Sequence, residues 1–366
     1  MTSLRGMTWD HPRGIDPLIA LSREWAETHG VEITWEKRSL QDFESYPVED
    51  LARNFDLIVV DHPHVGQVTA ENCLLALPDA PEIATGSVGG SFESYNWQGH
   101  QWAWPIDAAA QVQAIRPDLT GPVTAWDDVM ALARAGRVAI PLRPPHGLMS
   151  FFTLTANLGH PCRTGRGKAF CDRGGAGEAL SMLKALADLV DPRCFEQDPI
   201  AVLDEMSSGD TIACAPLIYG YISYAIPGMR PQRVTFHDIP STGSGVSGSA
   251  LGGTGIAVSA FCKAPETAVA FARHIAGPEA QAGLYVEAGG QAGHRSGWTS
   301  ATADDAAGGF YSGTLATLDG AWMRPRHDGY MPFQQAAAER VNEALKDGRI
   351  TAALDDLDDM FTKSFG

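Results

Sequence analysis

Cysteine is sparse: six residues in a chain of 366, with no CxxC pair and no zinc-type spacing. At that density Cys73, Cys162, Cys171, Cys194, Cys214 and Cys262 cannot form a disulfide framework. Reduced and mostly buried thiols are therefore expected, although Cys162 and Cys171 could bridge a loop in an oxidising compartment. No stretch reaches the roughly 18 uninterrupted apolar residues of a membrane-spanning helix, so no membrane insertion is expected. Positive charge is also short, 27 Lys+Arg against 44 Asp+Glu for a net −17, which argues against nucleic acid or an anionic membrane surface as partner. The signatures GxSxG, HExxH and the kinase set are missing. Gly252-Gly253-Thr254-Gly255 lacks the lysine of a P-loop and Gly86 to Gly90 lacks a dinucleotide fingerprint, so no cofactor is expected. Internal repeats are absent. Met1 to Gly6 has neither a cationic region nor a signal-length apolar core, so the chain as written is expected to be cytoplasmic, or periplasmic if a leader was removed.

What the chain does have is ordinary globular composition, 44% hydrophobic, and a length that favours two domains. The acidic run Asp355-Asp356-Leu357-Asp358-Asp359 reads as the solvated face of a last helix. Leu57-Ile58-Val59-Val60 is a short, mostly β-branched run that reads as a strand buried on both faces. It ends in Asp61-His62-Pro63-His64, with Gly66 closing the segment. The N-terminus repeats the design: Leu4 to Trp9 as a strand, then Asp10-His11-Pro12-Arg13-Gly14. Between them lie a helix opened by Asp16-Pro17, the alternating strand Val31 to Glu36 ending in Lys37-Arg38, and a helix near Val48 to Arg53. This β-α-β-α-β order predicts a parallel sheet, with the two Asp-His-Pro loops side by side at its carboxyl edge. Ligands bind at that edge in open α/β sheets.

Farther on, 84–99 reads as a loop and Gln101 to Ile115 as a long apolar segment. The α/β rhythm restarts with a helix at Trp126 to Ala135 and the strand Arg137 to Leu142. A helix after Gly147 follows, then helices at Gly177 to Leu189 and Ile200 to Met206. The strands Thr211 to Ala215 and Arg233 to Phe236 precede a Gly/Ser-rich stretch, Ser241 to Gly255.

Gly252 to Ser259, Ala264 to Ala272 and Gly277-Pro278-Glu279-Ala280-Gln281 together resemble the late segment of the sugar-type extracellular solute-binding proteins of ABC importers. Arg324 to Tyr330, Phe333 to Leu345 and Leu354 to Phe361 are similar to that family's closing helices, and Pro105 to Asp118 to its first crossing between lobes. The resemblance implies an α/β, two-lobed periplasmic-binding-protein-like (type II) fold. A small-molecule ligand is held in the interlobe cleft, hinge motion closes it, and ABC permease subunits are the partners. The corresponding division is 1–108 plus about 255–320 for the first lobe, and 109–254 plus about 321–366 for the second.

The candidate ligand-binding residues in the first lobe are Trp9, Asp10, His11, Arg13, Arg38, Asp61, His62, His64, Trp104 and Asp107. Arg suits bidentate binding of a carboxylate, Trp supplies a platform, and His and Asp supply hydrogen bonds. Each has a structural alternative, Asp10 and Asp61 as helix caps foremost. In the second lobe Arg143, His146, Tyr219 and Tyr221 follow strand ends. His62-Pro63-His64 with Asp61 or His11 has a spacing that is not diagnostic of a metal, and none is expected. Two function classes stay open. The preferred one is a solute-binding protein for a small polar or acidic organic solute, a sugar or carboxylate. The other is a cytosolic enzyme using His11 or His62 for acid-base chemistry, Asp10 or Asp61 to orient it, and Arg13 or Arg38 to hold a substrate carboxylate.

Overall fold

The computed structural model describes residues 2–39, 48–167, 169–243 and 245–366. The chain divides into two compact units. The first holds Met1–Ala109, Gly252–Asp305 and Arg326–Asp328; the second holds Ala110–Leu251, Ala306–Pro325 and Gly329–Gly366.

In the first unit β1 (Thr2–Trp9) lies between β2 (Val31–Arg38) and β3 (Leu57–Asp61), parallel to both. Trp9 is opposite Arg38, and Gly6 and Met7 are opposite Leu57 and Ile58. Leu57, Ile58, Val59 and Val60 are all buried, as their β-branched run requires. Helix α1 (Pro12–His29) crosses between β1 and β2. It begins one turn earlier than the Asp16-Pro17 signal suggested: Pro12 takes the first position, where its missing N–H costs nothing, and Pro17 lies inside. After β3 the chain does not stop at Gly66. A 3-10 turn, His62–His64, runs into α2 (Val65–Glu71). Gly66 is needed there because a Cβ would strike the backbone of Arg326 to Asp328. The 84–99 stretch is more ordered than expected, with helical turns at Pro81–Gly86 and Ser91–Ser94 and Asn96–Trp97 paired to His100–Gln101.

The long apolar segment is the strand β4 (Trp104–Ile115), buried throughout, whose residues belong to the first unit up to Ala109 and to the second from Ala110. In the second unit its later half pairs antiparallel with β5 (Cys214–Tyr219) and β6 (Thr235–His237). The expected strand Arg137 to Leu142 reduces to one bridge, Val138 to Cys214, and Pro141 has no N–H to extend the ladder. β5 starts later than Thr211 and runs through Pro216. The register slips by one residue there, two residues facing Gln113, and that bulge accommodates a proline. Helices α3 (His146–Asn157), α4 (Arg173–Ala187), α5 (Tyr330–Asp347) and α6 (Ile350–Lys363) cover this unit. Phe151, Phe152, Phe170, Phe333 and Phe361 are buried in its core.

The glycine run belongs to β7 (Leu251–Val258), which pairs antiparallel with β3 and sets Thr254 opposite Asp61. Gly253 has φ +99, and a Cβ there would meet the backbone of Asp107 and Ala108. Gly253 thus serves a close approach of β7 to β4, and Gly255 leaves room for the Tyr95 ring. Gly253→Ala combines a left-handed penalty of about 1–2 kcal/mol with that clash, so the urea midpoint should drop by the equivalent of 2 kcal/mol or more; an unchanged midpoint would refute the packing role.

Candidate functional site

The first unit's candidate site is built on the carboxyl ends of β1 and β3. His11 begins α1 as its N-cap, its Nδ1 accepting from the Arg13 N–H at 3.2 Å. Imidazole thus takes the capping role proposed for Asp10. Asp10 is exposed and pairs with Lys37 Nζ at 2.6 Å, as accessible as its partner. Asp61 sits at the cap position of the 3-10 turn without a side-chain capping bond, and its Oδ1 is 3.2 Å from His62 Nδ1. The His62 ring meets Tyr95 edge to face at 6.3 Å, and the Tyr95 hydroxyl donates to the Val60 carbonyl at 3.0 Å. His11, His62 and His64 are each at most 5% exposed.

Arg13 reaches across to β4. Its Nε donates to Asp107 Oδ2 at 2.7 Å and a terminal nitrogen bonds Asp107 Oδ1, a bidentate pair with both side chains buried. Burial raises the Asp107 carboxyl above its ordinary range and Asp61 adds to that, while the Arg13 guanidinium opposes it. Arg13 is therefore charge-matched by Asp107. Trp9 is buried against Gly14, and Trp104 is wholly buried in the same core, so neither indole offers an open platform. Arg38 is half-buried at the end of β2, beside Trp9.

The second unit collects a separate group. His146 opens α3, 4% exposed, and its ring lies 6.5 Å from that of Tyr219 at the end of β5. Burial pushes the His146 imidazole down to about 4; Asp198 pulls against this, and Arg143 and Arg324 reinforce it. Arg143 Nη1 is 4.0 Å from Asp198 Oδ2. Tyr221 is buried and packs edge to face on Tyr224, at 6.5 Å. Sequence reasoning missed Arg324, Asp198, Tyr95 and Thr254. Thr254 stood inside the glycine run and Arg324 beside Pro325, but nothing local tied either to a site. Among the described residues no group of three or more His, Cys, Asp or Glu side chains is arranged to hold a metal ion, and no helix is long and apolar enough to cross a membrane.

Residues 20–292 match the family described as bacterial extracellular solute-binding protein. The chain belongs to that family. No curated protein matches it significantly. Among solved structures it is similar to an ABC transporter solute-binding protein from Agrobacterium radiobacter in complex with ribitol, at 19% identity and TM-score 0.79, covering 99% of this chain and 98% of the other. It is also similar to one from Thermotoga lettingae bound with alpha-D-tagatose, at 14% identity and TM-score 0.84, covering all of both chains. A third is a Thermus thermophilus maltotriose-binding protein, at 16% identity and TM-score 0.77, again covering all of both. These likenesses establish the α/β, two-lobed fold of the solute-binding proteins. The family is extracellular, which favours the second of the two addresses open to the sequence; nothing supports the cytoplasmic one. An acid-base enzyme on this solute-binding-protein fold likewise finds no support.

Proposed function

We propose that the chain is the solute-binding component of an ABC importer and carries a small, neutral, polyhydroxylated solute, a sugar or polyol, to permease subunits. His11, Asp61, His62 and His64 of the first unit contribute contacts, as do Arg143, His146 and Tyr219 of the second. What carries this reading is charge compensation: Arg13 is matched by Asp107, Lys37 by Asp10, and His146 is kept neutral. The polar groups that remain suit hydroxyls, which give and accept neutral hydrogen bonds. The relatives bound to ribitol, tagatose and maltotriose point the same way. One observation favours an acidic solute instead, since Arg143 and Arg324 both bear on His146.

Calorimetric titration with a panel of pentitols, hexoses, short maltodextrins and small carboxylates separates the two. A neutral member should bind with an affinity that varies little between pH 6 and 8. His62→Ala and Tyr219→Ala should each weaken it by roughly two- to tenfold, the worth of one neutral hydrogen bond. Tight binding of a carboxylate, lost in Arg143→Ala, would replace this reading with the acidic one.

A further inference from the structure

The connection from α3 to α4 leaves the core of the second unit at Cys162 and returns to it at Cys171. At its base the Arg163 N–H donates to the Phe170 carbonyl at 2.8 Å. That bond draws the two arms of the loop together at its neck, with Cys162 directly before Arg163 and Cys171 directly after Phe170. A disulfide spans Cα atoms roughly 4.4–6.8 Å apart, a separation that neighbours at the neck of so short a loop can reach. Both side chains are buried, at 4% and 3% exposure. Negative charge on Cys171 also adds to the burial that raises the Cys162 thiol. Cys73, Cys194, Cys214 and Cys262 show no such effect from another thiol.

We infer that Cys162 and Cys171 are joined by a disulfide in the exported protein, a modification that fastens this loop to the second unit. It relies on the extracellular family for an oxidising compartment and not on any choice of solute. The two thiols lose two protons and two electrons as one S–S bond forms. The electrons pass to a disulfide oxidant, glutathione disulfide or an oxidoreductase disulfide, whose S–S bond breaks to give two thiols. Burial pushes the Cys171 thiol up to about 12, so neither sulfur is a ready thiolate in the folded chain. The bond therefore forms before the core closes and is then shielded from reduction.

The loop it closes has structural work. Phe170, beside Cys171, lies 4.4 Å from the Phe361 ring, 5.2 Å from Phe333 and 5.9 Å from Phe152, and its N–H donates to Asp358 Oδ1 at 2.6 Å. A cross-link at its neighbour keeps this aromatic plug against α3, α5 and α6.

The full chain, refolded with glutathione disulfide and then denatured in an alkylating agent, should show four reactive thiols out of its six. Trypsin cuts after Arg163, Arg166 and Lys168, so without reductant the peptide ending at Arg163 and Ala169–Arg173 should travel as one species, about 2 Da lighter than their sum. Reductant should lower the melting midpoint of the wild type by on the order of 5 °C and leave Cys162→Ala/Cys171→Ala unaffected. Six reactive thiols after oxidation, or a cross-link between other cysteines, would overturn the proposal. Thiol count and peptide map decide it on the wild type even if the double variant fails to fold, and a solute titration on the same sample stays independent of both.

Discussion

Asp107→Ala is expected to cost the first unit about 3–5 kcal/mol, because it leaves the Arg13 guanidinium buried without its counter-charge. Arg13 is 4% exposed and Asp107 is 1% exposed, so water cannot take the missing partner's place at either end. Arg13→Met with Asp107→Leu removes both charges and keeps most of the volume, and should cost far less than either single change. Urea unfolding followed by tryptophan fluorescence reads this, since Trp9 packs on Gly14 next to Arg13. A single variant as stable as the wild type would show that the pair contributes little. A double variant as damaged as the single would show that packing, not charge, sets the cost.

The same pair marks the limit of what the sequence disclosed. The two Asp-His-Pro segments, their parallel neighbourhood and the third strand-end residue Arg38 could all be read off, because strand patterns and βαβ connections are local regularities. The pairing of Arg13 with a residue 94 positions away could not be, and neither could the bearing of Arg324 on His146. Long-range ion pairs leave no periodic trace. Capping misled for a different reason. Asp is the commoner N-cap, yet Pro12 fixes the first helical position and so hands the cap to His11, releasing Asp10 to Lys37. In the second unit a proline normally ends a strand, and the bulge that lets β5 run past Pro216 depends on its pairing with β4.

The remaining large effect is one of pH, and it sits at His146. The ordinary imidazole titrates near 6.5, whereas burial holds this one down to about 4. Below pH 6.5 the unfolded chain takes up a proton that the folded chain refuses, so stability is complete above that pH and is lost as pH falls towards 4. The full loss is on the order of 3 kcal/mol, of which about 2 kcal/mol should be gone by pH 5. Asp198, Arg143 and Arg324 surround the ring, and other carboxylates titrate in the same acidic range, so the wild-type profile alone is a mixture. His146→Gln is neutral at every pH and shares all those other groups. Between pH 7.5 and pH 5 the wild type should therefore lose about 2 kcal/mol more than this variant in urea unfolding. Parallel profiles would mean that His146 accepts its proton in the folded state. The outcome also bears on the solute: a ring that stays neutral from pH 5 upward cannot offer an imidazolium to an anion.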